Sequence, residues 1–397
     1  MSQMPQNAHG THFPIPPGDW PDRVWDVIVV GAGPAGSMIA YELSRLGKKA
    51  LLLDRRAFPR WKVCGATLNH GCQAVLDRAG LGDLLETSGA RSLDTLHLGG
   101  WAHDVEVPLD GTVALSRVIF DSALIRAATE AGALFLQETV VKPGRLVEGG
   151  RTLLVGIGDN QVEITGKIVI AADGLSSGLM AGAGVPSKPL HSGKRPLIGL
   201  GAVLPVQTPG FPAGVIHMAV GNEGYVGFVR VEDGSLNAAA AVSPSALRAA
   251  ESPTSLINSL LRQAGWLEIE EASDLSWTGT PELTRSPSRP GAERLFAVGD
   301  AGGYVEPFTG EGMYWALAGA SLLAPLAVLG TEEWTTSLLD DWTALQARLI
   351  GRAQRLCQAS AWVLARPPLA RLSIRVLEAS PRLARGLVRR VGAPILT

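Results

Sequence analysis

Cysteine is scarce: it occurs three times in 397 residues, as Cys64, Cys72 and Cys357. An odd number with no C-x-x-C pair argues against a disulfide framework and a zinc ribbon, and points to a reducing, cytoplasmic compartment. Charge is also sparse. Charged residues make up 18% of the chain and balance to −2, so no global basic field recommends nucleic acid as a partner. The histidines are scattered and none completes H-E-x-x-H, which argues against that class of zinc hydrolase. Residues 1–22 hold no long apolar run and are rich in Pro. They read as a flexible tail and not as a signal peptide.

Apolar residues, by contrast, reach 46%. That is enough for two or three domains at about 100–200 residues each. Gly312 to Gly330 carries no charge and has the length of a bilayer span. It follows a glycine-rich turn and contains Gly312, Ala316, Ala318, Gly319 and Ala320, so it is expected to be a buried core helix.

Three glycine-bearing turns carry the chemistry. Trp25 to Val30 is a nearly continuous apolar run, as expected of a strand covered on both faces. Gly31-Ala32-Gly33-Pro34-Ala35-Gly36 follows it and opens a helix that stops at Gly47. Gly31 suits the tight turn, Gly33 the approach of a pyrophosphate, and Gly36 the packing of helix on strand. The helix N-terminus offers free N–H groups to phosphate. A second strand, Ala50 to Leu53, ends at Asp54, placed to accept hydrogen bonds from a ribose. The second turn is Asp173-Gly174, after the apolar run Ile168 to Ala172. The third is Gly299-Asp300, after Leu295 to Val298, followed by Pro307 and Gly310-Glu311-Gly312-Met313. Asp300 is placed to meet ribityl hydroxyls. The N–H groups of Gly310 to Met313 suit the pyrimidine end of a flavin, where they would stabilise negative charge.

In this order the three motifs resemble the para-hydroxybenzoate hydroxylase superfamily of FAD-dependent oxidoreductases. The segment Leu115-Ser116-Arg117 through Asp121 and Leu124 resembles the stretch that contacts FAD through its Arg. The run Asp54-Arg55-Arg56 through Lys62, Val63, Cys64 and Gly65, with Pro307 to Gly312, is similar to geranylgeranyl reductases and flavin-dependent halogenases. No Trp is followed by a second Trp two residues later, which departs from the halogenase Trp-x-Trp pattern. Gly303 stands where aromatic hydroxylases often carry His, Gly227 where the reductases carry Trp, and Met180 where the superfamily usually has Arg.

The resemblance implies an α/β fold. A Rossmann-like FAD-binding domain with a parallel sheet (23–185, returning at 286–332) holds an inserted antiparallel-sheet substrate domain (186–285), with a helical C-terminal region (333–397). It implies flavin-mediated redox chemistry on an apolar organic substrate, foremost the reduction of a carbon–carbon double bond. Monooxygenation of an aromatic or polyketide-like substrate is the alternative, and flavin binding without turnover a third reading. Only one G-x-G-x-x-G stands in a strand–helix setting, so NAD(P)H docking transiently, or a separate reductase, is expected to supply electrons. Cys64 is a candidate proton donor or redox group, or simply a small residue lining the site. Arg55, Arg56 and Lys62 are candidates for phosphate or ribose contact. His217 and Tyr225, on sheet strands, are candidates for placing a substrate. Residues 351–397 carry nine Arg and one acid, Glu378. That excess is suited either to solvent or to an anionic membrane surface.

Overall fold

The computed structural model describes residues 22–157, 160–189, 196–270, 275–305, 308, 310–364 and 366–391. Its first sheet has the parallel order Leu134–Leu136, Ala50–Leu53, Val24–Val30, Asn160–Ala171, Leu295–Ala297. Val27 pairs with Ala50 on one side and with Ile168 on the other. This central position explains the continuous apolar run, because both faces are covered. Helix Pro34–Arg45 and the long helix Gly312–Glu332 pack on one face. The latter has the length and composition of a membrane span. It is nevertheless packed in the main apolar cluster, with Leu317, Ala320 and Leu323 fully buried. Trp342, also fully buried, donates its indole N–H to the Ala297 carbonyl at 3.1 Å and fixes the C-terminal region to the strand before the third turn.

A helix spans Arg117–Glu130. The Ser116 hydroxyl caps it by accepting from the Ile119 N–H. Two further helices are Pro244–Ala249 and Pro253–Ala264, the second opened by a Ser252/Ser255 capping box.

The second sheet runs Thr278–Glu282, Ile198–Leu204, Leu236–Val242, Gly224–Arg230, Val215–Gly221, Arg91–Gly100, His103–Ala114, Thr67–Leu68. The four strands between 198 and 242 pair antiparallel, as expected of the inserted sheet. The last three come from within the stretch assigned to the first domain. Arg91–Gly100 joins Val215–Gly221 in parallel, so the sheet is mixed and drawn from two separate parts of the chain. No strand was expected at 91–114. Gly, Asp and Pro interrupt the apolar alternation there, although Leu96, Leu98, Val105 and Val107 do share one face.

On the opposite face His217 sits against His97, Phe211 and Trp266. Burial, with the neighbouring His97, pulls its pKa down to about 4. The Pro212 carbonyl opposes the shift by accepting from its ring, while the Arg230 charge adds to it. The unfolded chain therefore binds a proton that the folded chain refuses. The neutral-ring packing is fully stabilising above about pH 6.5 and is lost as pH falls toward 4, by up to about 3 kcal/mol. His217→Leu is expected to lower the midpoint of acid unfolding followed by circular dichroism. An unchanged midpoint would remove His217 from the acid response.

Candidate functional site

The three turns meet at the C-terminal ends of adjacent parallel strands. A side chain at Gly31, which has φ +107°, would overlap the Ala172 carbonyl, and one at Gly36 would overlap the Gly31 carbonyl. Both glycines therefore serve close packing of the first turn on the second. A Cβ at Gly299 would stand 2.8 Å from the Ala35 Cβ, which brings the third turn against the first. Gly33 differs. The nearest atom to its missing Cβ is Arg117 Nη2 at 3.7 Å, and the residue lines an open cavity. Helix Pro34–Arg45 starts there with no side-chain cap and no acid in its first turn. Its leading N–H groups and positive dipole end are left available to an anion.

Asp54 is buried and holds this loop in place. Its Oδ2 accepts from the Ala32 N–H at 2.8 Å and its Oδ1 from the Arg56 N–H at 2.9 Å. Behind the loop, Arg117 makes a two-pronged ion pair with the fully buried Asp121, at 2.7 and 2.8 Å. Burial opposes the Arg117 charge, but Asp121 outweighs it and holds the guanidinium pKa above its ordinary value. Arg60, within the 54–65 run, is a site residue that the motif does not mark. It lies 3.6 Å from Asp54 and 3.7 Å from Asp121, over the Phe58 ring. It thus joins the two carboxylates, and only the tertiary pairing shows it.

Lys62 links the other turns. Its Nζ is 3.9 Å from Asp300, and 3.3 Å from where a Gly174 Cβ would be. Burial lowers its pKa against the pull of Asp300, and Arg117 and Arg60 add to the lowering. Asp173 accepts from the Leu179 N–H at 3.2 Å through Oδ2. Its Oδ1 is buried and has no hydrogen-bond partner among the described residues. Burial raises its pKa despite the nearby N–H groups.

Gly33, Pro34, Ala35, Lys62, Cys64, Gly65, Arg117, Gly174, Gly299, Asp300, Gly310, Gly312 and Met313 all line one cavity of about 1070 Å³. That lies just above the roughly 300–1,000 Å³ usual for a small-molecule pocket, which leaves room for a cofactor and a second reactant. Arg55 and Arg56 are exposed and do not line it. Glu311 is buried and accepts from the Cys357 thiol at 3.4 Å. Pro307 lies outside the described residues. Cys64 is half-buried and lines the cavity together with Arg117, while its carbonyl accepts from Asn237 Nδ2 of the second sheet at 2.8 Å. Cys72 is buried, and burial pushes its thiol pKa up to about 12.

An uncapped helix end, a buried guanidinium and an open glycine cradle, with Lys62 and Asp300 lining the same cavity, fit a dinucleotide. A family model described as "FAD binding domain" matches residues 24–355. The chain belongs to this family. It is an FAD-dependent oxidoreductase of the para-hydroxybenzoate hydroxylase type, as its motifs resemble. Among curated relatives, Digeranylgeranylglycerophospholipid reductase 2 of Methanopyrus kandleri is 31% identical over 79% of each chain. Menaquinone reductase of Mycolicibacterium smegmatis is 26% identical over 83% of each. Conditioned medium factor receptor 1 of Dictyostelium discoideum is 24% identical over 78% of this chain, which spans 64% of that protein's length. A solved flavoprotein/dehydrogenase from Cytophaga hutchinsonii has the same fold, with TM-score 0.75 at 18% identity over 93% of each chain.

The departures from the family pattern now have physical settings in this FAD-binding protein. Gly303 has φ +129°, a conformation that a histidine rarely adopts. Met180 is fully buried among Leu179, Val185 and Ala301, where an unpaired guanidinium would be costly. Gly227 lines the cavity beside Met218 and Ala239, so the missing Trp enlarges it. Tyr225 faces the cavity and meets Phe308 edge to face at 5.0 Å, whereas His217 points to the other side of the sheet.

Proposed function

We propose that this FAD-dependent oxidoreductase reduces carbon–carbon double bonds in an isoprenoid-like, apolar substrate. The observation that carries the reading is the lining of the cavity. From the phosphate loop it continues over Leu96, Leu98, Val107, Ile216, Met218 and Ala240, with Gly227 removing the bulk expected there. Such a wall takes a long hydrocarbon and offers few polar anchors. Two reductases of lipid-like compounds among the relatives support the same choice. Reduced FAD, when bound, supplies the hydride. NAD(P)H docking transiently, or a separate reductase, supplies the electrons. The chain's own part is to hold the pyrophosphate at Gly33 to Ala35 with Arg117, to exclude water through the apolar wall, and to deliver a proton. Cys64 is placed for the proton, beside the Arg117 guanidinium and on the cavity surface.

The test is anaerobic. Chemically reduced holoenzyme mixed with a geranylgeranyl lipid is expected to regain oxidised-flavin absorbance, with a product two hydrogens heavier. Product gaining an oxygen atom, formed only in air, would move the assignment to monooxygenation. In the same assay Cys64→Ala is expected to lower the flavin reoxidation rate by about 10²-fold, the scale of a lost proton donor, with FAD content unchanged. An unchanged rate would leave Cys64 as lining only.

A further inference from the structure

The C-terminal helices Pro367–Ala379 and Pro381–Val391 have two apolar sides. The inner side closes the cavity: Leu377, Ala384 and Val388 are among its lining residues. The other side faces outward. Leu369, Leu372 and Val376, spaced by three and four, form a single stripe, with Leu372 56% exposed. Leu383 and Leu387 continue it one turn apart, and Trp362 adds an exposed indole with Arg366 stacked over it at 3.9 Å. Leu387 is 42% exposed and also lines the cavity, so the cavity opens at this face.

The charge that these two helices themselves carry is almost all positive; Asp110, on the neighbouring strand, stands 3.5 Å from Arg389. Arg371, Arg375, Arg382, Arg385 and Arg389 are all exposed. Glu378, the sole acid of residues 366–391, is engaged with His103 at 2.9 Å. Exposed leucines bounded by guanidinium groups suit a surface that is apolar inside and anionic outside. A protein partner of ordinary composition does not call for such uniform charge. We infer that the outer face of these two helices docks on an anionic phospholipid bilayer and turns the cavity mouth toward the acyl chains. A lipid-borne substrate then enters without crossing water. This inference rests in part on the proposed lipophilic substrate, but the surface is testable without any substrate.

Full-length holoenzyme is floated with phosphatidylcholine vesicles that contain or lack phosphatidylglycerol. Binding is expected only with phosphatidylglycerol, falling as salt rises. Leu372→Glu/Val376→Glu and, separately, Arg371→Glu/Arg375→Glu are each expected to reduce the bound fraction at least about tenfold. These four residues do not line the cavity. Both variants should keep their bound FAD and their flavin reoxidation by detergent-dispersed substrate. Binding that is equal on neutral vesicles, or unaffected by both variants, overturns the proposal. So does a concentration-dependent dimer in sedimentation that Leu372→Glu abolishes, since the stripe would then belong to a second copy of the chain. Failure of the reductase reading appears separately, as an absence of reoxidation in detergent while vesicle binding persists.

Discussion

Gly33→Ala is expected to yield a folded, colourless protein. The glycine faces the cavity, its backbone has an ordinary extended conformation, and the nearest atom to a new methyl group is Arg117 Nη2 at 3.7 Å. The polypeptide itself therefore tolerates the change. Its cost is that of a poorer N-cap, about 1 kcal/mol or less, which moves the Tm of the FAD-free chain by no more than about 3 °C. The pyrophosphate, however, needs the space that the methyl group takes. FAD affinity is expected to fall at least about 100-fold, or about 2.7 kcal/mol. Gly36→Ala is the contrast, because its new atom overlaps the Gly31 carbonyl and the turn itself must move. That variant should lose the fold along with the cofactor. Flavin absorbance per chain, measured with thermal unfolding, separates the two. A yellow Gly33→Ala protein of normal stoichiometry would place the phosphates elsewhere.

Arg117→Met is expected to lose both cofactor and stability, through one cause. Asp121 is fully buried, and its close partner is the Arg117 guanidinium; Arg60 stands farther off at 3.7 Å. Removing Arg117 leaves a buried carboxylate largely uncompensated, a loss of roughly 3–5 kcal/mol. The double variant Arg117→Met/Asp121→Asn removes that penalty. It should regain at least about 2 kcal/mol by denaturant unfolding, while still failing to hold FAD. Recovery of flavin in the double variant would show that Arg117 acts only by keeping Asp121 in place. Failure to regain stability would show that the pair was never the source of the loss.

The glycine turns were legible in the sequence because backbone geometry admits few substitutes at them. Gly31 and Gly36 have no room for a Cβ, and the strands before them are apolar throughout because both sides are covered. Asp54 was legible as to position, since it ends the second strand, but the two backbone N–H groups it accepts from depend on how the loop closes. Arg60 could not be separated from Arg55 and Arg56 by composition. All three follow Asp54 within six residues, and only the path of the loop turns one toward Asp121 and two toward solvent. His217 and Tyr225 illustrate period two: on neighbouring strands paired Val220 to Tyr225, they emerge on opposite faces. The cavity wall formed by Leu377, Ala384 and Val388 had no local signal, because its neighbours on strand His103–Ala114 are more than 250 positions away in the chain.

The parallel pairing of Arg91–Gly100 with Val215–Gly221 has a consequence for how the chain becomes a protein at all. The half-built sheet made from residues 67–114 must wait, with one edge unsatisfied, until more than a hundred further residues have emerged from the ribosome. Non-local closure of this kind slows folding and leaves an adhesive margin open in the meantime. A gene fragment cut at residue 186 would inherit the same defect permanently. The portion that looks self-contained in linear order is therefore not expected to fold as an autonomous module.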